Sequence, residues 1–244
     1  LAEQAGLNGQ IMVTAAAGIF ILPFFLFSAT AGQLADKYEK SAIIRWIKTA
    51  EIIVMGLGAA SFWLADIYLM IFVLFLMGVQ SAFFGPVKYS ILPDHLPEHE
   101  LIGGNALIEA GTFLAILLGT IARGLLVLGD QGALFVSIAV IGLAMAGLAA
   151  SFGIPKAAAK EPDLKLNPNL PAETWGLIRL AGARRDIFLS ILAISWFWLL
   201  GATFLAQFPA LAKDVIGADE TVVTLFLTLF SVGVALGSLL CNKL

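Results

Sequence analysis

Residues 27–40 read FSATAGQLADKYEK, and they carry the decision about the fold. Five small residues, Ser28 to Gly32, close an apolar run. Within the next eight positions come Asp36, Lys37, Glu39 and Lys40. A run that ends in small residues and then admits charge of both signs marks a helix leaving a membrane. The rest of the chain agrees. Of 244 residues 60% are hydrophobic and 13% charged, with a mean hydropathy of +0.95. Soluble domains carry about 25% charged residues, so the solvent for most of this chain is lipid.

Working outward, seven segments reach the roughly 20 apolar residues that a bilayer core of about 30 Å requires. They lie near 11–33, 43–65, 67–85, 104–128, 133–154, 187–209 and 221–241. None alternates strictly, so each is expected to satisfy its backbone as a helix. Glycines inside them (Gly56, Gly58, Gly111, Gly119, Gly142, Gly147, Gly233, Gly237) suit close helix packing in lipid. Twelve of the 14 Lys and Arg residues fall on one side, the exceptions being Lys213 and Arg123. The positive-inside rule puts that side, with the loops around 34–43, 86–103 and 155–186, in the cytoplasm. The first span then runs inward from outside, and a further span is expected before residue 1.

The last span ends as the first does. VGVALGSLLCNKL, 232–244, repeats the small residues, the Gly-x-Leu and the lysine about 200 residues later. Between the copies lies the one long polar segment, 155–186, rich in Pro, Lys and Asn. After Pro171, Trp175, Leu177, Ile178 and Leu180 alternate with Arg179, Arg184 and Arg185, a composition that fits either a helix on an anionic leaflet or an ordinary linker. Two homologous halves joined by a cytoplasmic loop is transporter architecture. The expected organisation is 1–154 for the first half, 155–186 for the linker and 187–244 for the start of the second half.

Several function classes drop out. A net charge of −3 with no basic domain argues against nucleic acid. The single cysteine, Cys241, excludes an internal disulfide or a thiolate metal site. Asp94, His95, Glu98, His99 and Glu100 crowd a Pro-bounded loop, where His95 and Glu100 nearly spell the His-x4-Asp pair of glycerolipid acyltransferases. Glutamate in place of aspartate, between prolines 93 and 97, does not make that pair catalytic. No catalytic constellation, metal site or cofactor is expected.

Gly32-Gln33-Leu34-Ala35-Asp36-Lys37 resembles the signature between the second and third helices of the major facilitator superfamily, with Glu39 where the family usually has glycine. The resemblance implies that Gly32 allows close helix approach, that Asp36 faces a helix N-terminus across the interface of the halves, and that Lys37 anchors the cytoplasmic end. Gly85-Pro86-Val87-Lys88-Tyr89-Ser90-Ile91-Leu92 and Gly104-Asn105-Ala106-Leu107-Ile108-Glu109-Ala110 resemble the bacterial lysophospholipid transporters, most of all the form fused to a glycerophospholipid acyltransferase and an acyl carrier protein synthetase. That resemblance runs along the whole chain and is strongest over 32–120. It implies an all-α membrane protein, a major facilitator helical bundle of which this chain supplies seven transmembrane helices, the second to the eighth of twelve. It further implies a multi-pass protein of the bacterial inner membrane, working with membrane lipids and an acyltransferase or synthetase partner. The alternative is a facilitator for another amphipathic molecule.

The polar residues give the candidate site. Pro86 is expected to end or kink the third span and free Lys88, which then either snorkels to the interface or contacts a phosphate. Asn105, Glu109, Thr112, Ile116, Gly119 and Arg123 recur at steps of three and four, so they share one helix face, which in lipid turns toward a bundle interior or an aqueous cavity. Glu109 either takes a substrate ammonium or simply suits the helix dipole. Arg123 is an interfacial charge, a sequence variant or a substrate contact. Glu51 is expected to pair with a neighbouring basic residue. Gln207, with Trp196, Trp198 and Thr203, either lines the second half's share of a cavity or, for the tryptophans, faces lipid. The candidate substrate-binding set is Lys88, Asn105, Glu109, Thr112 and Gln207; the candidate conformational motif is Gly32, Asp36 and Lys37.

Overall fold

The computed structural model describes residues 9–127 and 131–241, and among them every regular element is helical. The seven long helices are α1 (Gly9–Lys37), α2 (Lys40–Leu64), α3 (Ile67–Ser90), α5 (Leu101–Val127), α6 (Gly132–Ser151), α8 (Arg185–Ala210) and α9 (Glu220–Cys241). All seven contain stretches long and apolar enough to cross a membrane. Two short helices, α4 (Leu92–His95) and α7 (Leu170–Gly182), lie between them. Buried serines bond carbonyls of their own helices, a local route that suits lipid: Ser61 donates to the Gly58 carbonyl and Ser137 to that of Ala133.

The chain forms two compact units. The first comprises 1–95 and 126–175. In it α3 packs against α1 and α2, and α2 against α6. The α1–α3 crossing is close because residue 78 is glycine; a Cβ there would overlap the Phe20 carbonyl oxygen and press on Pro23. Sequence pattern did not single out Gly78. Of the glycines it did single out, Gly58 approaches Val73 and Gly147 approaches Lys48, whereas a Cβ at Gly56, Gly111, Gly119, Gly142, Gly233 or Gly237 meets nothing within 4 Å among the described residues. Between α2 and α3 the chain turns in two residues. Ala65 adopts the left-handed conformation (φ 51°) and caps α2, and the Asp66 carboxylate caps α3 by accepting from the Tyr68 and Leu69 N–H groups.

The second unit comprises 96–125 and 176–244. Phe113, 2% exposed, stacks on Trp198 of α8 at 5.9 Å between ring centroids and meets the edge of Phe230 of α9 at 6.3 Å. Phe208 continues the aromatic seam against Phe226 and Phe230. At the end of α8 Pro209 is followed by a π-helical turn, Leu211–Val215.

One expectation is corrected. Pro86 was expected to end or kink the third span, and it does not end it: α3 runs on to Ser90 with Pro86 inside it, so Lys88 stays on the helix. A proline forfeits one N–H and crowds one carbonyl a turn earlier, while bonding resumes beyond it, as from Ile91 N–H to the Val87 carbonyl. Within 155–186 the amphipathic stretch after Pro171 is helical, as one of its two readings had it. Asn169 caps α7 by accepting from the Ala172 N–H, with Pro171 and Glu173 in the first turn.

Candidate functional site

Residues 155–168 leave the end of α6 without helix, as Pro155, Pro162 and Pro168 favour. They fold back as an extended strap along the end of α1, running in the opposite direction. The Ala157 carbonyl accepts from Lys40 N–H at 3.1 Å, and its N–H donates to Glu39 Oε1 at 2.9 Å. Further along, Glu161 N–H donates to the Asp36 carbonyl (2.9 Å), Lys37 Nζ to the Leu164 carbonyl (2.7 Å) and Asn167 N–H to Gln33 Oε1 (2.9 Å). Ala157 is 2% exposed and packs in one cluster with Ala35, Ile44, Val87 and Ile91. The GQLADK turn and the strap are therefore a single folded piece.

Glu39 joins them. One carboxylate accepts from Ser41 N–H, Ala42 N–H and Ser41 Oγ, capping α2, while it also holds Ala157 N–H. Burial acts to raise its pKa, but those donors outweigh burial and bring it from the ordinary 4.5 to about 2. Next to it Lys40, 0% exposed, forms an ion pair at 2.6 Å with Asp94 of α4. A buried ammonium needs such a partner. Asp94 and its neighbours His95, Glu98, His99 and Glu100 are exposed, as expected of a solvated loop, and Asp94 in addition ties the α3–α4 corner to the α1–α2 turn.

Deeper in the same unit Lys48 pairs with Glu51 at 2.7 Å, as expected for Glu51, and Gln80 of α3 donates to the same carboxylate oxygen at 2.9 Å. Lys48 Nζ also lies 4.7 Å from the centre of the Phe84 ring. Gln80 in turn lines an apolar groove of about 690 Å³ between α1, α2 and α3, whose walls include Leu34, Ile43, Ile47, Val54 and Phe83.

The candidate binding residues fall into both units. Lys88, half-buried near the end of α3 in the first, extends over the Tyr89 ring at 4.8 Å. In the second, Asn105, Glu109 and Thr112 share one face of α5, a quarter-turn from the buried stripe Ala106, Phe113 and Leu117 at 3.6 residues per turn. Asn105 Nδ2 donates to the Leu101 carbonyl and Thr112 Oγ1 to that of Ile108. Gln207 is exposed on α8. Trp196 and Trp198 are exposed as well, and Trp198 also stacks on Phe113. The side chains of Arg123, Lys213 and Cys241, and Lys243 altogether, lie outside the described residues.

Gly32, Asp36 and Lys37 all sit in the last turns of α1. A Cβ at Gly32 meets nothing within 4 Å among the described residues. Sequence reading missed Gln33, Glu39, Lys40 and Gln80 as partners. An acidic residue just before a helix start was a legible capping signal for Glu39; the strap it holds, more than 100 residues away, carries no periodicity that could have announced it.

The family model of the Major Facilitator Superfamily matches residues 2–244. A protein of Escherichia fergusonii named lysophospholipid transporter LplT is 30% identical over 233 residues, which is 93% of this chain and 55% of that protein. Proteins of the same name from Shigella boydii and Pectobacterium carotovorum are each 28% identical, over 93% and 92% of this chain and 55% and 54% of their own lengths. The chain thus spans about half the length of the curated relatives it matches. No solved structure matches it. With seven helices apolar enough to span a bilayer, bacterial relatives and a family model covering nearly every residue, the chain belongs to the Major Facilitator Superfamily, as an all-α, multi-pass protein of the bacterial inner membrane.

Proposed function

We propose that the chain is part of a lysophospholipid transporter, its seven spans corresponding to the second through eighth of twelve. It would move lysophosphatidylethanolamine-type lipids across the inner membrane for reacylation, by a partner or fused acyltransferase and acyl carrier protein synthetase. One observation carries the reading: relatives named for lysophospholipid transport match 93% of the chain. In this reading 1–154 and 187–244 belong to halves that rock about a central cavity, with 155–186 connecting them, and the outward and inward states alternate.

The substrate carries a phosphate anion and an ammonium cation a few bonds apart, so a carrier benefits from one group of each sign. Lys88 serves the phosphate as a point charge and Glu109 the ammonium, with Asn105 and Thr112 from the same α5 face and Gln207 from α8 adding hydrogen bonds. The single acyl chain needs an apolar recess, a requirement that the groove between α1, α2 and α3 meets. Gly32, Asp36 and Lys37 act in the conformational step.

Equilibrium binding of labelled lysophosphatidylethanolamine to the purified full-length protein tests the headgroup assignment. Charged contacts in a partly desolvated site contribute about 1.5–3 kcal/mol each, so Lys88→Gln or Glu109→Gln should weaken binding about ten-fold or more, at about 1.4 kcal/mol per factor of ten. If Glu109→Gln stays folded and binds as tightly as the parent, the headgroup role is lost.

A further inference from the structure

We propose that residues 155–168 are a permanent brace of the first unit, held on the α1–α2 turn throughout transport, so that movement between the halves is absorbed only after Asn169. The inference rests on the transport reading for the word transport alone; the brace itself stands on bonds within one unit.

Five hydrogen bonds, spaced between Ala157 and Asn167 of the strap, reach five positions of the turn: Gln33, Asp36, Lys37, Glu39 and Lys40. Three of them use the strap's own N–H groups at Ala157, Glu161 and Asn167, and two use its carbonyls at Ala157 and Leu164. A loose loop would leave these groups to water. The strap is also part of the core: Ala157 fills a site walled by α1, α2 and α3 through Ala35, Ile44 and Val87. Lifting it would uncover Lys40, which is 0% exposed and whose own backbone N–H is bonded to Ala157.

Glu39 is the fastening. Its Oε1 accepts from the strap's Ala157 N–H and from Ser41 N–H, while Oε2 takes Ala42 N–H, so one carboxylate joins the strap to the start of a membrane-spanning helix. By contrast α7, which follows at Leu170, presents Trp175, Leu177, Ile178 and Leu180 exposed and contributes no residue to that cluster. The extended brace gives way to helix where Asn169 caps α7, whose first turns, up to Trp175, still belong to the first unit.

Hydrogen exchange of the full-length protein in lipid nanodiscs reads the brace directly. Peptides covering 155–168 should exchange at least ten-fold more slowly than an unstructured peptide of the same sequence, and Glu39→Ala should raise their exchange while α3 stays protected. Exchange over 155–168 at the unstructured rate in the parent would overturn the proposal. Because Glu39→Ala also uncaps α2, Ala157→Pro supplies a second variant that removes the strap's donor to Glu39 and leaves the carboxylate that caps α2 in place; it should release the same peptides. A second arm asks whether the strap ever lifts. In a Cys241→Ser background, Gln33→Cys and Asn167→Cys are joined by a short bis-maleimide, and lysophosphatidylethanolamine uptake is compared before and after joining. Uptake within two-fold of the unjoined protein supports a permanent brace, and its loss on joining contradicts it. Absence of uptake from the unjoined protein would count against the transport reading instead, leaving hydrogen exchange to decide the brace.

Discussion

The carboxylate of Glu39 accepts three backbone N–H groups and a hydroxyl, and its pKa falls to about 2 as a result. A carboxyl whose pKa is lower folded than unfolded stabilises the fold above its ordinary value, and that stability disappears as pH drops toward the folded value. The window here runs from about 4.5 down to about 2. Thermal unfolding of the parent should therefore exceed that of Glu39→Gln at neutral pH, with the gap narrowing as pH falls below about 4.5; a gap independent of pH would show the clamp to be uncharged. Asp36, three residues earlier, is a different case. Its carbonyl belongs to the brace, through Glu161 N–H, while its carboxyl is proposed for the conformational step. Asp36→Asn should slow transport while leaving lysophosphatidylethanolamine affinity close to the parent's, and lost affinity with normal cycling would reverse that assignment.

Helices were the legible scale. Apolar length located all seven spans, and several observed helices overrun the expected ends, as where 11–33 becomes Gly9–Lys37, although α6 stops at Ser151, short of 154. Hydropathy marks the depth of the bilayer, whereas a helix continues as long as its backbone bonds do. Packing was less legible, since a glycine's use depends on what faces it. Gly78 faces the Phe20 carbonyl oxygen, a backbone atom that cannot swing aside. Gly78→Ala should lower stability by about 1–3 kcal/mol, the usual cost of overpacking, and Gly56→Ala, with open space at its Cβ, should be neutral or stabilising. Thermal unfolding in detergent compares the two, and equal midpoints would mean that the α1–α3 crossing is not close. The shared face of Asn105, Glu109 and Thr112 on α5 was legible from its spacing; Lys88 was legible as a residue but not in its setting, because the helix continues past Pro86.

At the scale of the molecule, the positive-inside rule leads us to expect the strap, α7 and the α3–α5 connection in the cytoplasm. Protease added outside intact cells should leave 156–185 uncut. In inverted vesicles cleavage should concentrate at the exposed Arg179, Arg184 and Arg185, beyond the brace. Cleavage of that segment from outside would invert the whole topology. The central claim is transport, and uptake of labelled lysophosphatidylethanolamine by spheroplasts tests it most directly. Spheroplasts expressing the full-length protein should accumulate the lipid, spheroplasts lacking it should not, and Lys88→Gln or Glu109→Gln should lower the rate about ten-fold or more. Equal accumulation with and without the protein, while some other amphipathic molecule is moved, would contradict the account.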